Sequence, residues 1–68
     1  MEKHWLEHIE NSRDKIATAS GNLQELVSFS DPEKMGPMTY ITLLDLADTC
    51  DRVVRHLNSI IVQEKING

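Results

Sequence analysis

Cysteine is almost missing from this chain. Cys50 stands alone, so no disulfide framework can form within the chain, and a lone thiol fits a reducing compartment. Aromatic residues are scarce as well: Trp5, Phe29 and Tyr40, one of each kind. Any core must therefore be aliphatic. No apolar run approaches the roughly 18 residues of a membrane-spanning helix. The opening residues, Met1 to His8, carry charges where a secretory leader would need an apolar stretch. These features lead to the expectation of a cytoplasmic chain with no membrane partner. Positive charge is also short. Lys and Arg number 7 against 11 Asp and Glu, a net charge of −4, which disfavours a surface built to hold phosphates. The chain has only two prolines and three glycines, so strong breakers are few.

What is present is a 68-residue chain, 40% apolar and 26% charged, the balance of one small soluble domain rather than a disordered segment. A core of this size supplies only about 3–5 kcal/mol, and small chains compensate with disulfides, metals, oligomerisation or very regular helix packing. With disulfides excluded inside the chain, assembly is the first alternative to consider.

The periodicity is helical throughout. Trp5, Ile9, Ser12, Ile16, Ala19, Leu23 and Leu26 follow one another in alternating steps of four and three, the signature of a helical seam. Leu6 and Val27 widen that stripe. Gly21 lies inside it, but the seam keeps its phase on both sides, so the helix is expected to continue. Ser30 to Pro37 is the clear interruption. Asp31-Pro32-Glu33 looks like an N-cap with proline in the first turn, enough for one short helical turn, and Gly36-Pro37 then resets the chain. Beyond it, Tyr40, Leu43, Ala47, Cys50, Val54, Leu57 and Ile61 repeat the seam. The expected fold is all-α: a single-domain antiparallel helical hairpin with a helix over about 2–29, a turn over 30–37 and a helix over about 38–66. Across the hairpin, Ala19 is expected to meet Ala47 in a small, close-packed layer.

The second helix carries more apolar surface than a hairpin needs. Residues 37–68 hold 15 apolar side chains against 12 in residues 1–36. Leu46, Val53 and Ile60 form an additional row, seven residues apart, with no matching row expected on the first helix. Burying one such side chain fully is worth roughly 1.5–3 kcal/mol. The row is therefore assigned to a dimer interface, in a homodimeric four-helix bundle.

Signals for chemistry are weak. His4-Trp5-Leu6-Glu7-His8 matches a His-x-x-Glu-His spacing that can bring two histidines and a base to zinc. It lies at the frayed end of a helix, in a chain with no room for a substrate domain, and reads as two surface histidines. Cys50 sits on the apolar seam as a small hydrophobe. His56, six residues on, faces elsewhere on the helix. Phosphate loops, paired-cysteine motifs and serine elbows are absent from the sequence. No catalytic residue, metal site or cofactor is assigned, and the chain is expected not to be an enzyme.

Arg52 and Arg55 are the main basic cluster, but Asp48 and Asp51 precede each by four residues, the favourable order for neutralising ion pairs. A four-helix dimer binding nucleic acid is thus the weaker alternative, and a small-ligand site at the dimer seam, beside Ser12, Ala19, Ala47 and Cys50, is another. The turn end is poor in charge. Between Ile16 and Ser30 only Glu25 is charged, and between Pro37 and Ala47 only Asp45. Charge depletion marks the centres of contact surfaces. Leu26, Phe29, Met35, Met38 and Ile41 are accordingly assigned to binding another protein, methionine being adaptable to irregular partners. A rival assignment has the turn fold back and cover Phe29. The overall expectation is a small protein-binding module of adaptor, chaperone or regulator type, acting as a homodimer.

Overall fold

A computed structural model describes residues 1–67. Helix α1 runs Lys3–Phe29, a one-turn helix α2 runs Pro32–Met35, and α3 runs Pro37–Asn67. No strand occurs among the described residues. Helix α1 passes through Gly21 without interruption, as the unbroken seam requires.

The turn is built from local chemistry. The Asp31 carboxylate accepts a hydrogen bond from the Glu33 backbone N–H at 3.0 Å, satisfying a donor at the helix start. Pro32 occupies the first helical position, where its missing N–H costs nothing. Gly36 closes α2 with φ of 104°, a conformation that a side chain would strain. Its N–H donates to the Pro32 carbonyl at 3.0 Å, and its own carbonyl accepts from Tyr40 N–H at 3.0 Å. Gly36 thus ends one helix and starts the next.

The result is a rod of 50 × 14 × 13 Å in which α1 packs against α3. The open ends are tied by the Met1 ammonium with Glu64 at 3.3 Å and by Lys65 with Glu10 at 3.7 Å. On α3 the less exposed positions include Tyr40, Leu43, Ala47, Cys50, Val54, Leu57 and Ile61, the seam expected from spacing, together with Asp51 and Glu64.

Helix α1 differs from expectation by one column. Ile9, Ile16 and Leu23 do face α3, but their companions are Leu6, Arg13, Ser20 and Val27. Trp5, Ser12, Ala19 and Leu26 are all exposed. Both columns adjoin Ile9, Ile16 and Leu23 on the helix surface, one on each side. Each holds two large apolar residues, and Ser12 and Ala19 are less polar than Arg13 and Ser20, so α1's own sequence favours the column that the structure leaves exposed. The small layer therefore changes membership: Ala47 is buried as expected, but Ser20 is buried on α1 and Ala19 is not. Arg13 joins the seam by laying its stem along it and donating to the Asn58 side-chain oxygen at 3.0 Å.

Gly21 offers a direct check on α1. A Cβ built there meets nothing within 4 Å, and its backbone φ is not positive. Gly21→Ala is expected to stabilise the protein by about 0.5–1 kcal/mol, because alanine loses less backbone entropy in a helix. A thermal melt that shifts downward would contradict it.

Candidate functional site

Two helices bury little on their own. Among the described residues, Ser20, Ala47 and Ile61 are the buried ones, and no large side chain falls below 2% exposure. Most of the apolar inventory stays at or near the surface, and its distribution around the rod is uneven.

The helical phase defines two flanks. One follows Glu10 on α1 and Asp51, Asn58 and Lys65 on α3. The Lys65–Glu10 ion pair and the Arg13–Asn58 hydrogen bond lie along it, so this flank is bridged by polar links in its open-end half. The other flank holds Trp5, Ser12, Ala19 and Leu26 on α1, each one residue before a Leu6-column position. On α3 it holds Leu46, Val53 and Ile60, each one residue before an Ala47-column position. In an antiparallel pair, equivalent columns of the two helices fall on the same side of the seam. The displaced α1 column and the additional α3 row therefore share one side of the hairpin. Trp5 is 58% exposed and Leu26 45%; Leu46, Val53 and Ile60 are 48%, 37% and 37%.

This joint face is what sequence reasoning missed. The α3 row was legible from its spacing. Its α1 counterpart was hidden because Trp5 and Leu26 were placed in the intrachain seam. The signal that could have found it is charge: none of these seven residues is charged, nor are Thr39 and Asn67, which continue the α3 column.

The turn-end residues separate by helical phase. Leu26 and Phe29 lie toward the uncharged side. Met38 lies on the back of α3, Ile41 lies toward the polar flank, and Met35 is half-buried in α2. Phe29 is 81% exposed, which overturns the rival assignment of the turn folding back over its ring. Proline at the α2 start and glycine at its end direct that short helix toward α3, leaving the end of α1 uncovered.

The His4 ring stacks beside Trp5 at 4.9 Å, and its Nδ1 lies 3.3 Å from Glu2 rather than meeting Glu7. Trp5 also approaches His8, at 6.2 Å between ring centres. Cys50 is half-buried on the seam while His56 is exposed. Arg55 pairs with Asp51 at 2.8 Å, and Arg52 pairs with Asp48, so each guanidinium has an acidic neighbour one turn back. A shallow concavity lined by Asn58, Ser59, Val62 and Gln63 lies on α3 alone, away from the Ser12, Ala19, Ala47 and Cys50 positions expected for a seam pocket. Among the described residues, no helix is long and apolar enough to cross a membrane. No family model, curated protein or solved structure matches the chain.

Proposed function

We propose that this protein is a non-enzymatic contact module, a helical hairpin that pairs with a second copy as a four-helix bundle and presents its turn end to another protein. The observation that carries this reading is the mismatch between display and burial. Large apolar side chains line the outside of the rod, while three residues are buried within it. A hairpin with so little interior gains most by covering that surface. Contact is also the use that suits the charge-poor turn end and the uncharged flank, since interface centres are depleted in charge. Ion pairing of Arg52 and Arg55 weighs against nucleic acid, because each cation's field is offset by its own aspartate.

Sedimentation equilibrium across micromolar concentrations tests the assembly. The expected result is a species of twice the chain mass, and a single-chain mass throughout would defeat the reading. The turn end has its own test. With its ring so exposed, Phe29→Ala is expected to change stability by no more than about 0.5 kcal/mol, the usual range for surface substitutions. It is expected to lose a partner that the wild-type chain retains from its source cell, because an aromatic anchor often dominates binding. Equal retention by both chains, with the partner identified by mass spectrometry, would remove Phe29 from the contact.

A further inference from the structure

We infer that the second copy docks on one specific side of the hairpin, the uncharged flank formed jointly by Trp5 and Leu26 of α1 and Leu46, Val53 and Ile60 of α3. This rests on the self-association proposed above and adds which surface is used.

Three observations converge on this face and this occupant. The first is pattern. Both long helices carry two seam columns plus one additional column, and the additional column lies on the same flank in each. That three-in-seven face is what a helix in a multi-helix bundle needs, whereas a two-stranded pair needs only the two seam columns.

The second is charge. The two flank columns contain no charged residue. In the columns immediately outside them, which hold His8, Lys15, Asn22 and Phe29 on α1 and Thr42, Thr49, His56 and Gln63 on α3, only Lys15 is a charged Lys, Arg, Asp or Glu. A two-fold contact applies one patch to itself and brings residues near the axis against their own copies. A patch charged along its length would then meet like charge, and this one does not. A distinct partner recognised by charge would find nothing here to pair with.

The third is area. The hairpin exposes 5217 Å². A folded monomer of 7.8 kDa is expected to expose about 4,400 Å², so the excess is roughly 800 Å². That is about what each partner buries in a stable protein–protein interface. The Cα radius of gyration tells the same story. It is 15.4 Å, against about 11 Å for a compact domain of this length.

Trp5 is the one tryptophan, and it lies on this face, so its fluorescence reports directly on docking. The experiment follows Trp5 emission and acrylamide quenching while sedimentation gives the mass, for the wild-type chain, Val53→Asp and Leu44→Asp. Leu44 is an exposed leucine on the opposite, polar flank, so it controls for adding a charge to α3. Expected is protection of Trp5 over the concentrations at which the mass doubles. Val53→Asp should weaken dimerisation at least about 100-fold, by leaving an unpaired charge in the contact, while Leu44→Asp leaves it within a few-fold of wild type. The wild-type quenching series decides the matter even if Val53→Asp unfolds once separated. A dimer in which Trp5 stays fully accessible, or one that Leu44→Asp disrupts as strongly as Val53→Asp, would place the contact elsewhere and leave self-association standing. A wild-type chain that remains single at all concentrations would overturn both.

Discussion

Ile61→Ala is expected to remove most of the stability of the hairpin. Ile61 is the most buried large side chain, 3% exposed, and it lies on α3 near the open end of the rod. Truncating a buried isoleucine costs about 2–5 kcal/mol, from lost transfer energy and the cavity left behind. A core of this size supplies only about 3–5 kcal/mol in total. The chain ends cannot compensate. The Met1–Glu64 and Lys65–Glu10 links that close this end are partly solvated, and exposed ion pairs are worth about 0–1 kcal/mol each. The variant should therefore show strongly reduced helical circular dichroism at 25 °C and low concentration. Ile66→Ala, at an exposed position five residues on, should melt like the wild type. Matching melts for Ile61→Ala and Ile66→Ala would mean that the seam does not hold the helices together.

Most of the fold was legible because it follows from local signals. The turn announced itself through Asp31, Pro32, Gly36 and Pro37, each suited to its position by φ or by a missing donor. The α3 seam was legible because its Tyr40 and Leu43 columns are apolar over successive turns, leaving little choice of phase. The phase of α1 was not legible, and the reason is physical. Trp5 and Leu26 in one column compete with Leu6 and Val27 in the next, and Ser12 and Ala19 compete with Arg13 and Ser20. By side-chain apolarity alone the first column is the better candidate. The contacts that accompany the observed choice lie across the hairpin, where Asn58 accepts from Arg13 and Lys65 meets Glu10. Such partners are distant in sequence and leave no periodic trace. The same one-column displacement created the candidate site, since it moved Trp5 and Leu26 from the seam to the flank beside Leu46, Val53 and Ile60.

That phase has a consequence large enough to measure. Ala47 and Ser20 are small and yet buried. In a two-helix rod only the opposing helix can cover a side chain so short, so the backbones approach closely there, toward the lower end of the usual 8–10 Å interaxial range. Leucine at either position would gain burial if space existed, but at this approach it must push the helices apart or leave its preferred rotamer. Ala47→Leu is expected to cost about 1–3 kcal/mol, the usual penalty for overpacking. Ser20→Leu should cost a similar amount and also removes the acceptor for the Gln24 amide, now bonded at 3.2 Å. Ala17→Leu, at an exposed α1 position on the polar flank, should stay within about 0.5 kcal/mol of wild type. Ser20 is the discriminating residue. If α1 faced α3 through Trp5, Ser12, Ala19 and Leu26, Ser20 would lie on the flank and its leucine variant would be tolerated. Urea denaturation of the three variants at one fixed chain concentration separates the two phases: destabilised Ser20→Leu beside unaffected Ala17→Leu supports the observed packing, and the two variants unfolding together at the wild-type midpoint would reject it.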